Sequence, residues 1–551
     1  MKTRFLAVTV LLCVLFVGQI FGAVEDEFLL SDRSVDPHSD PAECALAIQR
    51  AVDAAEFFSD REGGAIVRLI GDGGNKVTHP LDRPILLPAN ISIIGVDNPV
   101  IEPPPSIRLN NGDVRHQSVF RFNDSVRRVS DARFRDFRFD LSADRSALRD
   151  GDIEDSGSIF LVDRPFNSFR VQNVGTFVAP LQPPILIGNT RRFIDVRNDL
   201  RSTNLLIFDC RVDRVRRFVY LSGSAPVSGV TIVNNDVRDV GHSMVQFEGR
   251  NDDIVISGNI FRRHAVIDGN EPGHMISTSF DGPVRGLRIR DNQITGIPNA
   301  AFERTVDANG IRGAATNGGS ADLVAIRNAI DFQITGNHVW YSGELGISIL
   351  DGSRFGLISQ NDIRYCDGTG LIVGSAAFLN GQRQRPVDHI TVSGNAFIQN
   401  GQDEAGDQRQ SPPSYNTLAQ IRIWNAEQVE VLGNRIDRTP IPGSPASNRN
   451  RLAPRLLFRE LSGIWLFDNS LRGDVDGRVI DFFGCGNVFT GYNLRVGGRI
   501  QDFSYVQGAG LRVLPEEASR DRLDLPGNQN SGWTGMIQDR RCAGNQFWRA
   551  P

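Results

Sequence analysis

Ile254-Val255-Ile256-Ser257-Gly258-Asn259-Ile260-Phe261 is the stretch on which the fold turns. Apolar side chains alternate at Ile254 and Ile256, an Asn follows three residues later, and a second apolar pair closes the unit. Alternation with period two marks a strand with one buried face. The same unit returns as 287–294 around Asn292, 332–339 around Asn337, 390–397 around Asn395, 429–436 around Asn434 and 464–471 around Asn469. Looser copies surround Asn235 and Asn361, and Cys210 and Val174 hold the Asn position in earlier ones. From Asn235 onward the spacings are 24, 33, 45, 24, 34, 39 and 35 residues. A floor near two dozen with variable additions describes a fixed coil carrying loops.

Such a coil cannot bury its apolar face alone, so coils must stack. Asn tolerates left-handed backbone, and its amide bonds neighbouring coils, so stacked copies predict an Asn ladder. A leucine-rich repeat also uses Asn, but the Leu-x-x-Leu-x-Leu frame and a helix per repeat are missing. Residues 44–58 differ in character. They are rich in good helix formers with an amphipathic stripe, and predict a helix that caps the first open coil.

Residues 40–101 resemble the entry module of pectate-lyase-like proteins. The resemblance rests on Ala47-Ile48-Gln49-Arg50-Ala51-Val52-Asp53, Gly63-Gly64 and Ile91-Ser92-Ile93-Ile94-Gly95. Ser257-Gly258-Asn259, Thr335-Gly336-Asn337 and Ser393-Gly394-Asn395 resemble the coils of the same superfamily. The resemblance implies an all-β, right-handed parallel β-helix of about ten coils with an N-terminal helical cap. Within that superfamily are polysaccharide lyases, glycoside hydrolases, epimerases, tail spikes and adhesins, so fold alone does not select a reaction. The expected organisation is a signal peptide over 1–23, a cap region over 24–78, the solenoid with inserted loops over 79–500, and a C-terminal cap or tail over 501–551.

Bulk properties agree with a long exported solenoid. The chain has 551 residues, 40% hydrophobic and 23% charged, with 55 glycines. Net charge is −5 and no long basic block occurs, which argues against a nucleic-acid partner. Lys2 and Arg4 precede an apolar run from Phe5 to Val17, followed by Gly22 and Ala23, the pattern of an export signal. An uncleaved anchor and a lipidated Cys13 are the competing readings of this segment. No later segment is apolar over a membrane-spanning length. A secreted, periplasmic or cell-surface location follows. The mature chain would keep Cys44, Cys210, Cys366, Cys485 and Cys542, without a CxxC pair, so no metal site is expected from cysteine. Cys485 and Cys542 are candidates for a disulfide in the C-terminal cap, and buried free thiols are the alternative.

A second strand follows each Asn. Taking Val245, Ile276, Ile311, Ile347, Leu371 and Ile421 as equivalent inward positions places Gln246, Ser277, Arg312, Ser348, Ile372 and Arg422 outward. Glu248, Asp281, Asp351 and Trp424 lie further along, and His242 and His274 just before. The expected catalytic set is Glu248, Asp281, Asp351, His242, His274 and Arg312. A carboxylate would act as acid or base, a histidine would relay a proton, and Arg312 would hold an acidic sugar. Arg422 and Trp424 are the expected substrate contacts, by charge pairing and ring stacking. No cofactor is expected, apart from calcium at the acidic loop Asp150–Asp155, which departs from the regular calcium loop and reads more simply as a solvated turn. Gly241-His242-Ser243 and Gly273-His274-Met275 only partly match a polygalacturonase-like signature, and Asp252-Asp253 does not sit at a matching coil. Only two lysines occur, Lys2 and Lys76, which disfavours lysine-dependent lyases. Two readings follow. One is a lyase or hydrolase acting on an extracellular polysaccharide. The other is a non-catalytic surface protein that binds glycans.

Overall fold

A computed structural model describes residues 32–496 and 511–513, with breaks at 109–113, 143–156, 179–190, 265–273, 297–321, 401–418, 439–455, 474–479 and a few shorter positions. The chain winds as a right-handed parallel β-helix. Each coil gives one strand to each of three parallel ladders. Coils bearing Arg217–Leu221, Val227–Val233 and Asp236–Val240 show the order first, second, third ladder. The next coil repeats it with Val245–Phe247, Asn251–Ser257 and Ile260–His264. Two 12-residue strands, Ile421–Leu432 and Leu456–Phe467, run through the corner from the first ladder into the second. Among the described residues the third ladder holds 14 strands. It reaches back to His79–Pro80, through coils whose Asn position is degenerate or absent.

The inward faces form one continuous core from Val35 to Leu466. In the second ladder the strand phase is reset by a left-handed residue at a fixed place. Asn204, Asp253, Asp331 and His389 occupy it with φ between 52° and 61°, and Gly229 and Gly286 fill it on other coils. Such a bulge lets Asn251 point inward and then Ile254 and Ile256, three residues and two residues on.

The Asn ladder lies at the corner between second and third ladders. Asn259 donates from its backbone N–H and from Nδ2 to Oδ1 of Asn292, each at 2.9 Å. The same Nδ2 donates back to the carbonyl of Ile232 on the previous coil. Asn292, Asn337, Asn361, Asn395 and Asn434 repeat the arrangement toward Asn469. Cys210 starts the row by donating its N–H to Asn235. The residue before each ladder Asn from 235 to 434 is left-handed, which Gly258 and Gly336 supply without a Cβ penalty. A second, shorter polar row occupies the corner before the first ladder. There Asn400 Oδ1 accepts from Cys366 N–H, and Asn400 Nδ2 donates to Gln420 Oε1 at 2.9 Å.

N-terminal coils are held differently. Phe120, Phe134, Phe139, Phe160 and Phe169 pack with ring centroids 4.7 to 6.2 Å apart, and Phe193 stacks on Phe218 at 5.4 Å. The expected cap helix is present as Pro41–Glu62. Asp40 caps it, with Oδ1 accepting from the N–H groups of Ala42 and Glu43. Its apolar stripe, Cys44, Ile48, Val52 and Ala55, closes the core. Cys44, Cys210 and Cys366 are buried free thiols, whereas Cys485 and Cys542 lie outside the described residues.

Candidate functional site

The segments 143–156, 179–190, 265–273, 297–321, 401–418 and 439–455 all enter the chain between a third-ladder strand and the next first-ladder strand. The first ladder is therefore the face beside which most of the extra sequence is inserted. Its register stacks one outward residue per coil: Leu161, Asp195, Tyr220, Gln246, Ser277, Ala325, Ser348, Ile372 and Arg422. Although they face away from the core, Asp195, Ser277, Ala325, Ser348 and Arg422 are all buried. A buried polar outer face is unusual for a solenoid, whose free faces are ordinarily solvated.

One cluster centres on Tyr220. Guanidinium groups of Arg192 and Arg217 sit 4.7 and 4.2 Å from its ring centroid. Its hydroxyl donates to Glu248 Oε2 at 2.6 Å, and Gln246 Nε2 donates to the other oxygen, Oε1, at 2.8 Å. Arg192 is neutralised by the fully buried Asp195 at 2.6 Å, which also accepts from Arg197 and Ser158. Arg217 makes no ion pair among the described residues; its Nε donates to His242 Nδ1 at 3.4 Å. That nitrogen also accepts the backbone N–H of Ser243 at 2.8 Å, so His242 carries any neutral-form proton on Nε2. Burial pulls the Arg217 pKa down. Burial and the bond to Glu248 push the Tyr220 phenol up, against the pull of the neighbouring guanidinium groups.

A second cluster lies three coils on from Tyr220, around Asp322. Burial pushes its carboxyl up to about 6, against Ser348 and the charges of Arg327 and Arg422. Ser348 Oγ donates to Oδ2 at 2.5 Å, while Oδ1 has no partner among the described residues. His274 occupies the same column one coil earlier, where Ile276 pairs with Val324. The residue is only partly buried as a whole, but its Nδ1 is shut from solvent and has no partner among the described residues. Burial, helped by Arg327, drives its pKa down to about 3. Neither ring nor carboxyl is thereby favoured as a charged group.

The structure brings two of the expected catalytic residues, His242 and Glu248, into one network, joined through Arg217 and Tyr220. His274 belongs to the Asp322 cluster. Asp281 is exposed at a turn, its carboxylate near Ser279 Oγ at 3.2 Å. Asp351 pairs with Arg385 at 3.0 Å. Arg422 shares the column of Ser348, and Trp424 lies two residues on, half-buried. Arg312 and the acidic loop Asp150–Asp155 lie outside the described residues. The rung between Ile276 and Ile347 is Val324–Arg327, not the strand around Ile311, so Ala325 holds the outward position expected for Arg312. Tyr220, Arg192, Arg217, Asp195 and Asp322 were missed. The first four sit on first-ladder strands that follow Val174 or Cys210 in sequence rather than an Asn marker, and Asp322 follows the longest insertion.

Fold and face together define a right-handed parallel β-helix with a polar strip, bearing several arginines, along one ladder. A family model described as "Periplasmic copper-binding protein (NosD)" matches residues 204–434, a span lying mostly within the Asn-marked coils. No curated protein matches the chain. Among solved structures it is similar to the A-module of a mannuronan C-5 epimerase from Azotobacter vinelandii, at 14% identity and TM-score 0.31, covering 86% of this chain and 95% of that one. It is similar to DFA-IIIase from Arthrobacter chlorophenolicus without its lid, at 13% identity and TM-score 0.40, covering 87% and 100%. It is also similar to PfbA, a surface adhesin of Streptococcus pneumoniae, at 14% identity and TM-score 0.38, covering 87% and 90%. Copper does not fit the described residues. No three His, Cys, Asp or Glu side chains converge among them, and the three described cysteines are buried on separate coils.

Proposed function

We propose that this chain is an exported enzyme that acts on an acidic polysaccharide along the outer face of its first ladder. The observation that carries the reading is the Arg192–Tyr220–Arg217 stack against Glu248. It sets a guanidinium without an ion pair among the described residues, a phenol and a carboxylate side by side on adjacent coils. A guanidinium of this kind suits a uronate carboxylate, and a carboxylate held by two donors suits proton transfer. Further along the strip, Arg422 and Trp424 extend the run of groups able to contact a chain of sugars.

Elimination is favoured over hydrolysis. Hydrolysis requires two carboxyl groups about 5–10 Å apart across the scissile bond. Asp195, the carboxylate nearest Glu248 in the outward column, is already tied up by Arg192 and Arg197 and so is poorly placed to serve as the second group. Export is supported by the N-terminal pattern, and no helix among the described residues is long and apolar enough to cross a membrane. Purified protein screened on an acidic polysaccharide panel tests the reading. An absorbance rise from unsaturated ends is the expected result. New reducing ends without it would indicate hydrolysis, and binding without turnover would replace the enzyme with a glycan-binding surface protein.

A further inference from the structure

We propose that Tyr220 is a catalytic residue: its phenol oxygen removes the proton from the sugar carbon next to the substrate carboxylate, Glu248 receives the phenol's own proton, and Arg217 holds that carboxylate. This rests on the reading of the first-ladder face as an acidic polysaccharide site, and gives that site its chemistry.

The geometry is specific. The phenol already donates to Glu248 Oε2 at 2.6 Å, so its proton has a short path away from the oxygen. Gln246 fixes the other carboxylate oxygen at 2.8 Å, which leaves Oε2 aimed at Tyr220. Two cationic groups over the ring faces stabilise the negative charge that builds on the phenol as its proton leaves. They differ in availability. Arg192 is bound to Asp195, whereas Arg217 has no ion pair among the described residues and can take a substrate carboxylate.

The proton count closes without a co-reactant. The C–H bond next to the carboxylate breaks, and its proton goes to the Tyr220 oxygen as the phenol proton goes to Glu248. The C–H electron pair becomes a carbon–carbon double bond. The adjacent carbon–oxygen glycosidic bond breaks, its pair leaving on the oxygen. Glu248 returns its proton through Tyr220 to that oxygen, so both residues end as they began. Before the glycosidic bond breaks, return of a solvent-derived proton to carbon would exchange that hydrogen.

The test uses the full chain in D2O with polygalacturonate, alginate and hyaluronan as separate probes, following unsaturated ends and deuterium at the carbon next to the carboxylate. Wild type is expected to show elimination, deuterium incorporation or both on at least one probe. Tyr220→Phe is expected to lower both rates about 100-fold or more, with binding of the same probe within about threefold. Glu248→Gln is expected to lower kcat with KM little changed and to flatten the pH profile. A Tyr220→Phe protein that keeps either rate within about tenfold of wild type overturns the assignment. Wild type that makes reducing ends with neither unsaturation nor exchange also overturns it, while leaving an acidic polysaccharide enzyme standing. Wild type that binds none of the three probes overturns both.

Discussion

Two polar rows run along this solenoid, and they obey opposite rules. At the corner between second and third ladders, each Asn from 235 to 434 passes its amide donors to the next coil and back to the previous one. On the outer face of the first ladder, buried polar atoms are left over: Asp195 Oδ1, Arg192 Nε, Gln246 Oε1, His274 Nδ1 and Asp322 Oδ1 have no partner among the described residues. Buried polar groups are normally satisfied, and a leftover one costs about 1–3 kcal/mol. The Asn row spends nothing on function and gives rigidity. The first-ladder row keeps unmet hydrogen-bonding capacity on neighbouring coils, which a polar ligand could use, while Asp252 Oδ1 and Thr295 Oγ1 are scattered counterparts on the other ladders.

The largest effect that would sharpen this contrast is in the Asn row. Asn337→Ala removes the acceptor for both Asn292 donors, deprives the Ile289 carbonyl of its side-chain donor and leaves Asn361 Oδ1 with only the backbone N–H of residue 337. We expect a loss of about 3 kcal/mol or more in denaturant unfolding, from several buried groups orphaned at once. A loss under about 1 kcal/mol would mean that the ladder is ornamental.

Next in size is the pH response of the second cluster. His274 is lowered from 6.5 to about 3, so its contribution to stability is present above pH 6.5 and lost as pH falls toward 3. Asp322 is raised from 3.8 to about 6, so its contribution is present below pH 3.8 and lost as pH rises through 6. The two slopes oppose each other between about pH 4 and 6. His274→Gln should therefore flatten the acid loss of melting temperature in that window, and Asp322→Asn should steepen it. Parallel pH profiles for both variants and wild type would show that neither group is shielded as described.

The smallest effect belongs to the second ladder, whose outer face is ordinary surface. Arg288 pairs with the exposed Asp331 at 3.0 Å. Arg288→Gln should change unfolding stability by no more than about 1 kcal/mol, as for other exposed ion pairs.

The same contrast explains what was legible in the sequence. The Asn row is periodic because each coil must satisfy the next, so Asn259, Asn292 and Asn337 could be aligned by eye. The strands at Val245, Ile276, Ile347, Leu371 and Ile421 followed from that alignment and pair as expected. Ligand-facing residues have no such reason to repeat. Glu248 and His242 were reachable by strand phase, but Tyr220 stands in the coil marked by Cys210 and was not counted as part of the groove. Val324 was hidden because 45 residues separate Asn292 from Asn337, and apolar residues in that insertion compete for the rung. The Asn400–Gln420 pair was missed for a similar reason, since residues 401–418 separate its members.

The most direct measurement of the central claim compares Arg217→Gln with Arg288→Gln for binding to whichever acidic polysaccharide wild type binds, once both variants are shown to keep the wild-type circular dichroism. The account predicts that Arg217→Gln weakens binding about tenfold or more, the loss of one charge-assisted contact, while Arg288→Gln stays within about twofold of wild type. Equal losses in the two variants, or a loss confined to Arg288→Gln, would contradict the placement of the site on the first ladder.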